Sequence, residues 1–199
     1  MSGRLDYSSP SQPIGYNCTP PALALANVLP ATQRGDSTAL DRRAKLRRTI
    51  DRAWSGFLQS YAGLSDDALE TPGVVGTRSA KDLIAHVTIW EEEALRHLPT
   101  ILVGQRPPRN AASGRIDAFR DRRVTEWRTL SLEAVRRWQA DGRQRLLDCL
   151  DDLPDDALAT GLRAWRQLRL DAHGHSPLHA RAVAAWRPAG GLAGPAARS

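Results

Sequence analysis

The sequence lacks an apolar run long enough to cross a bilayer, since a membrane-spanning helix needs about 20 apolar residues. Its longest apolar stretch, residues 21–30, begins and ends with proline and also contains Asn27. Residues 24–27 bear a faint similarity to a signal-peptidase site, but no continuous apolar segment comes before them. We therefore predict a cytoplasmic protein that has no membrane partner.

Cysteine is scarce, with Cys18 and Cys149 as the only two in the chain. Two cysteines cannot form the dense disulfide framework that stabilises small secreted domains. Cys18 lies in a Ser- and Pro-rich stretch, whereas Cys149 falls on an apolar helical face. We interpret both as free thiols in a reducing compartment, in agreement with a cytoplasmic location.

Lysine is also scarce, because Lys45 and Lys81 are the only lysines among 28 basic residues. The net charge of +6 and the isoelectric point near 10.1 raise the hypothesis of a nucleic-acid partner. However, the arginines are interleaved with acidic residues, and the densest basic cluster, residues 42–48, contains no aromatic residue. Such a cluster is typical of a solvated helix face. We therefore do not expect nucleic acid to be a partner.

Motifs for several enzyme classes are missing. The sequence has no Ser-His-Asp order, no Gly-rich phosphate loop and no dinucleotide-binding fingerprint. No stretch alternates apolar and polar residues between hairpin turns, so we predict no β-sheet. The fold should therefore be all-α, and any chemistry must come from other residues.

Four amphipathic segments are present, each with apolar residues at three- and four-residue steps. Ser79 can cap the second segment, with Asp82 as its capping-box partner, and Ser131 can cap the third. The fourth carries apolar residues through residues 168–186. A long link, residues 99–130, separates the second segment from the third. This arrangement predicts a four-helix bundle with a long crossover between helices 2 and 3.

The bundle is predicted to occupy residues 37–188. Residues 1–36 are rich in Ser, Pro, Gly, Asn and Thr and show no sustained period. Such a segment cannot bury enough apolar surface to offset the entropy lost on ordering, so we predict a disordered N-terminal extension. Residues 189–199, rich in Ala, Gly and Pro, are predicted to form a flexible tail.

Three of the five histidines suggest a metal site. His175 and His179 are four residues apart, which places both side chains on one face of a helix. His86 lies on the inward face of the second helix. Three imidazoles that meet inside a bundle could hold a divalent ion such as Zn, Ni or Fe and leave open positions on it. The spacing equally allows three core histidines, each satisfied by a hydrogen bond.

Pro177 complicates this prediction, because proline disfavours helical geometry at the preceding Ser176. If Ser176 is the N-cap and Pro177 the first helical residue, His175 falls outside the helix and the stacking with His179 should fail. A kinked helix that runs through the proline would keep the pair usable. Gly174 also lowers helix stability at this point.

The remaining candidates carry a weaker signal. Glu91 belongs to an acidic run, residues 91–93, which we interpret as a solvated face, although one member could orient a ligand histidine or act as a base. We expect His173 at the surface or beside a ligand histidine, and His97 in solvent. Four tryptophans are interpreted mainly as core, or else as the lining of a pocket for an apolar ligand: Trp54, Trp90, Trp138 and Trp186.

Several of these segments together resemble a known family. The resemblance rests on Leu64–Leu69, Ser79–Glu91 and His173–Ala180, followed by the closing Trp186. These blocks are similar to the DinB-like superfamily, and within it to the ClbS/DfsB-type branch of small four-helix-bundle proteins. The resemblance covers roughly residues 38–187.

The resemblance implies an up-down-down-up bundle and a divalent-metal site formed by His86, His175 and His179. It also implies a metal-dependent hydrolase or a thiol-dependent transferase, in which metal-bound water or a thiolate is the nucleophile. A low-molecular-weight thiol is then a second cofactor to consider. Ser176 and the pair Thr77-Arg78 depart from the residues common in the branch, which leaves the substrate undetermined.

Our leading hypothesis is a metal-dependent enzyme that acts on a small electrophilic molecule, by hydrolysis or thiol transfer, in detoxification or self-resistance. The rival hypothesis is a metal-free, non-catalytic bundle that binds a small ligand or a protein partner. The sequence leaves open whether the protein forms a homodimer.

Overall fold

The computed structural model describes residues 37–106, 127–158 and 163–187. Within these ranges the chain is mostly helical and contains no β-strand, although an isolated bridge joins Val75 and Arg78. The predicted all-α fold is therefore confirmed.

The helices follow one another in the order expected for a bundle. Their bounds are α1 Ser37–Tyr61, α2 Asp66–Glu70, α3 Ala80–Leu102, α4 Leu132–Asp152, a 3₁₀ turn Asp155–Leu158, α5 Arg163–Leu168, a π-helical segment Arg169–Gly174 and α6 Ser176–Trp186. The first three predicted helices correspond to α1, α3 and α4. The fourth corresponds to the run from α5 through the π segment to α6, so it is interrupted rather than continuous.

Two of the helix starts form as their sequences predict. The Ser79 side chain accepts a hydrogen bond from the Asp82 amide, and the Asp82 carboxylate accepts one from the Ser79 amide at 2.9 Å. This capping box satisfies two amide groups that have no partner inside α3. Ser131 caps α4 by accepting from the Ala134 amide. The α3 helix continues through Pro99 to Leu102.

The bundle core forms where apolar faces of the four long elements meet. The α1 helix packs mainly against α6, and α3 packs mainly against α4 while also contacting α5 and the π segment. Gly142 allows α3 and α4 to approach closely, since a Cβ there would lie 3.3 Å from Thr88 Cγ2. Fully buried residues of this core include Ile50, Phe57, Leu83, Leu95, Leu146 and Leu168. The predicted four-helix bundle is confirmed.

The crossover between α3 and α4 consists of residues 103–131, of which 107–126 lie outside the described residues. The same is true of the predicted extension, residues 1–36, and the predicted tail, residues 189–199. The domain boundaries therefore stay predictions. Among the helices that the structure describes, none combines the length and the apolar character needed to cross a bilayer.

Cys149 differs from its prediction. It is 2% exposed within the core, and it is disulfide-bonded rather than a free thiol. Cys18 lies outside the described residues. Because disulfides persist mainly in oxidising compartments, cysteine chemistry gives no support to the predicted cytoplasmic location.

Candidate metal centre

The three histidines singled out from the sequence meet inside the bundle. His86 comes from α3, His179 comes from α6, and His175 immediately precedes α6. One ring nitrogen from each lies within 4.8 Å of the other two. The ring centroids are 4.8 Å apart for His86 and His179, 5.5 Å for His175 and His179, and 5.8 Å for His86 and His175.

This spacing is slightly wider than a metal ion requires. Two nitrogens bound to one tetrahedral zinc ion at about 2.0–2.1 Å are about 3.3 Å apart. Side-chain rotations that move the ring nitrogens by about 1 Å would therefore close the set around an ion. Within the described residues no other group of histidine, cysteine and carboxylate ligand atoms is this close together.

The π segment keeps the His175 ring beside that of His179 despite Pro177. The α6 helix begins at Ser176 with Pro177 in its first turn, so His175 lies outside the helix, as one alternative predicts. The predicted failure of stacking is nevertheless wrong. His175 keeps a right-handed helical conformation, with φ −102° and ψ −20°, because it follows directly on the π segment. Its ring therefore stays beside that of His179.

Gly174 is required at the end of this segment. A Cβ on Gly174 would overlap the carbonyl oxygen of Arg169, which faces it across the π turn. Glycine is the one residue that leaves room for this approach. The residue that weakens a regular helix here is thus the residue that allows a π turn.

The His175 ring is already oriented for a metal ion. Its Nδ1 donates a hydrogen bond to the Leu170 carbonyl oxygen at 3.0 Å, which leaves Nε2 with a free lone pair. This Nε2 is buried and has no hydrogen-bond partner. Metal-ligating histidines commonly donate their second ring N–H to a backbone carbonyl in this way. Three neighbouring imidazoles, one of them with a buried and unpartnered nitrogen, form a donor set that suits Zn, Ni or Fe.

The second ring, that of His86, has a hydrogen bond of its own. The Trp90 indole Nε1 donates to His86 Nε2 at 3.2 Å. Because an indole N–H is a donor only, this His86 nitrogen is unprotonated. The Trp90 ring also lies 5.8 Å from that of His175 and 6.1 Å from that of His86, measured between ring centroids. Trp90 thus borders the histidine cluster.

Burial keeps two of the rings neutral near pH 7. It lowers the pKa of His179 to about 4, with further lowering by the neighbouring His175 and Arg78. Burial also lowers the pKa of His175, against the opposing effect of its hydrogen bond to Leu170. A metal ion binds neutral imidazole, so these rings are in the state that an ion requires.

Comparison with known proteins agrees with the fold. The family model described as the DinB superfamily matches residues 49–187. The chain belongs to the DinB superfamily. No curated protein matches it significantly in sequence.

Two solved structures share the fold of this DinB-superfamily chain. One is described as "Sibling Lethal Factor Precursor - DfsB", with a TM-score of 0.63 and 17% identity, covering 73% of this chain and 94% of DfsB. The other is the colibactin self-resistance protein ClbS in complex with a dsDNA, with a TM-score of 0.60 and 12% identity, covering 71% of this chain and 92% of ClbS. The predicted DinB-like superfamily is confirmed by the family model, and these two structures share its fold, while the ClbS/DfsB-type branch stays a prediction.

The acidic run of this DinB-superfamily chain is not the solvated face that the sequence suggests. Glu91 is 0% exposed and accepts a hydrogen bond from Arg143 at 3.1 Å. Burial raises the pKa of Glu91 to about 7, although Arg143 opposes that shift. Glu92 accepts from Trp138 and Arg145, each at 2.7 Å. Glu91 and Glu92 therefore join α3 to α4, whereas Glu93 pairs with Arg96 of its own helix.

His97 is also placed differently from its prediction. It is 8% exposed and lies between Arg96, whose guanidinium donates to its Nε2 at 3.0 Å, and the Gln167 amide, 3.3 Å from its Nδ1. Burial, and secondarily the Arg96 charge, lower its pKa. His97 thus joins α3 to α5 rather than facing solvent.

The predicted pocket tryptophans separate into two groups. Trp90 borders the histidine cluster, whereas the other three tryptophans contact residues elsewhere in the bundle. The Arg143 guanidinium lies 4.9 Å from the Trp54 ring centroid, and the Trp138 ring lies 5.5 Å from that of Trp127. A Cβ on Gly73 would lie 3.3 Å from the Trp186 indole nitrogen. A ligand-binding role for these three stays a prediction.

Sequence reasoning misses the backbone that orients His175. Neither the π segment nor the Leu170 carbonyl is visible as a motif, because main-chain groups carry no sequence signature. The available signal is Gly174, a helix-weakening residue placed just before a presumed ligand.

Proposed function

We propose that this protein is a metal-dependent enzyme that acts on a small electrophilic molecule by hydrolysis or thiol transfer. The observation that carries the proposal is the meeting of three imidazoles within 4.8 Å, one of which has a buried and unpartnered Nε2. A buried polar atom without a partner is destabilising, and a bound ion would give this nitrogen a partner. The ligands in this proposal are His86, His175 and His179.

A divalent ion held there would act as a Lewis acid and lower the pKa of a coordinated water or thiol. The chain supplies the rest. The Leu170 carbonyl fixes the His175 tautomer, and the Trp90 indole lies beside two of the rings. Glu91 is held by Arg143, so we assign it to the link between α3 and α4 rather than to proton transfer.

The proposed biological role is self-resistance or detoxification. Its support is the shared fold with ClbS, which is described as a colibactin self-resistance protein. An electrophilic substrate suits the proposed site, because an activated water or thiolate is a nucleophile.

Metal analysis of protein purified without a histidine tag tests the proposal. We expect near-stoichiometric Zn, Ni or Fe in the wild type, and His179→Ala should reduce the bound metal by more than about tenfold. His97→Gln is the matched control, because His97 is a buried histidine of the same bundle that lies outside the cluster. Absence of metal even after reconstitution would favour the rival, a metal-free bundle that binds a ligand or partner.

DNA is a second partner to test, because the ClbS structure contains a dsDNA. The basic cluster in residues 42–48 gives DNA binding limited support, because two of its arginines already have partners within the bundle. Arg43 donates to the carbonyl oxygens of Leu150 and Leu153, and Arg47 pairs with Asp151 at 2.7 Å. These arginines cap the end of α4. Tight DNA binding whose affinity falls steeply with salt would overturn our expectation that nucleic acid is not a partner.

A further inference from the structure

A cavity of about 180 Å³ lies between α1, the 3₁₀ turn, α5 and the π segment. Its lining shares no residue with the histidine cluster, so an inference from it does not depend on the proposed enzyme activity. The lining residues are Arg42, Lys45, Leu46, Thr49, Leu158, Trp165 and His173. A cavity of about 150 Å³ can hold benzene, so this one has room for a molecule of about ten non-hydrogen atoms.

The cavity has an apolar part and a cationic part. Leu46 and Leu158 are 5% and 1% exposed, and the Trp165 ring completes the apolar wall. Arg42 and Lys45 contribute positive charge, and no acidic residue is part of the lining among the side chains that the structure describes. The exposed Lys45 forms no ion pair with any acidic residue of the described ranges. The charge balance of the cavity therefore favours an anion.

His173 supplies a polar atom that lacks a partner. Its Nε2 is buried and forms no hydrogen bond. Leaving such an atom unsatisfied destabilises the folded protein, and a polar atom of a bound ligand would remove that cost. Thr49 lines the same cavity, and its hydroxyl donates to the Lys45 carbonyl oxygen at 2.9 Å rather than to His173.

We propose that this cavity binds a small amphipathic carboxylate. The apolar body of the ligand packs against Leu46, Leu158 and Trp165, and its carboxylate lies near the Lys45 ammonium and within hydrogen-bond reach of His173. A molecule of drug size does not fit, since the pockets for such ligands have about 300–1,000 Å³.

Isothermal titration calorimetry with octanoate tests the proposal on the full chain. Octanoate has about the ten non-hydrogen atoms that the cavity admits. We expect a Kd below about 1 mM, with at least about tenfold weaker binding for octanol, which lacks the charge, and for acetate, which lacks the apolar body. Equal binding of octanoate and octanol would overturn the assignment of an anion site, and no binding of octanoate would overturn the site itself.

Two variants locate the binding. Lys45→Gln should weaken octanoate binding about five- to tenfold, and Arg52→Gln should not, although it removes a positive charge from the same face of α1 two turns away. Thr49→Phe fills the cavity and should abolish binding while circular dichroism shows an intact helical fold. Octanoate binding that is unchanged in both Lys45→Gln and Thr49→Phe would place the ligand elsewhere and overturn the proposal.

Discussion

At the scale of single residues, the hydrogen bond that His86 accepts from Trp90 competes with metal binding. Its Nε2 lone pair is engaged by the Trp90 indole N–H at 3.2 Å. An ion that takes this nitrogen must displace the indole, and it loses the free energy of that hydrogen bond. Trp90 is therefore expected to set the metal affinity as well as to border the site.

Trp90→Phe should raise the affinity for a divalent metal about two- to tenfold, because a neutral hydrogen bond contributes about 0.5–1.5 kcal/mol. Competition with a chelator of known affinity measures the change. Trp138→Phe is the control, since its indole donates to Glu92 instead. An unchanged metal affinity in Trp90→Phe would show that His86 binds the ion through its other nitrogen.

Asp171 is a second residue whose environment has a measurable effect. It is 7% exposed and accepts a hydrogen bond from Gln167, which also contacts His97. Burial raises the pKa of Asp171 to about 7, partly opposed by the Gln167 hydrogen bond, and the charge of Glu93 adds to the increase. This carboxyl therefore favours folding most when it is protonated.

Asp171→Asn should change how stability depends on pH. Below about pH 4 the carboxyl is protonated in both the folded and the unfolded chain, whereas between about pH 4 and 7 the folded chain retains a proton that the unfolded chain has lost. The wild type therefore loses stability as pH rises through this window. The free energy of unfolding of Asp171→Asn, relative to wild type, should increase by on the order of 3 kcal/mol between about pH 4 and pH 8. Urea unfolding at both pH values measures it, and a pH-independent difference would contradict the assignment.

At the scale of an element, the π segment determines the position of His175. A regular α-helix through Ser176-Pro177 is disfavoured, because proline disfavours helical geometry in the residue before it. The wider π turn lies just before this point and places the His175 ring beside that of His179. This turn requires glycine at position 174, because a Cβ there would overlap the Arg169 carbonyl oxygen.

Gly174→Ala should destabilise the protein by about 1–3 kcal/mol, because the new methyl group overlaps the Arg169 backbone. It should also weaken metal binding by about tenfold or more, since the Leu170 carbonyl no longer orients the His175 ring. Gly56→Ala is the matched control. A Cβ there meets no atom within 4 Å, so the substitution should stabilise α1 by about 0.5–1 kcal/mol and leave metal binding unchanged. Metal affinity that survives in Gly174→Ala would show that the π segment does not orient the ligand.

At the scale of the whole molecule, one buried arginine joins three helices. Arg143 of α4 donates to Glu91 of α3 at 3.1 Å and to Asp51 of α1 at 2.8 Å. The Glu91 and Arg143 side chains are 0% and 7% exposed, whereas Asp51 is 48% exposed. The Arg143 guanidinium also lies 4.9 Å from the Trp54 ring centroid. This network fixes the three helices relative to one another by charge as well as by apolar contact.

Arg143→Met should lower the free energy of unfolding by about 3–5 kcal/mol, because it leaves the Glu91 carboxylate buried without its partner. Adding Glu91→Leu should recover at least half of that loss, since no uncompensated charge then remains in the core. Guanidinium chloride unfolding gives both values. Arg137→Met removes an exposed ion pair with Glu133 on the same helix and should cost less than about 1 kcal/mol. Additive losses in the double variant would show that Arg143 does not stabilise the bundle through Glu91.

The helices and the three candidate ligand histidines follow from local sequence patterns. Periodic apolar residues and N-cap side chains such as Ser79 and Ser131 act within a few residues along the chain, so their effects can be read from spacing. The same reasoning selected His86, His175 and His179, because inward positions on a helix follow from its period.

The contacts of the polar residues, in contrast, depend on how the helices pack. Glu91 and His97 have the local pattern of exposed residues, yet α4 and α5 cover them and supply Arg143 and Gln167 as partners. The partners of these two side chains come from 52 and 70 residues further along the chain. The bonded state of Cys149 and the free lone pair of His175 are also invisible in the sequence. They depend on groups that the spacing of residues along a helix does not identify. Burial and pairing are properties of the packed bundle, because they arise where distant segments exclude water together.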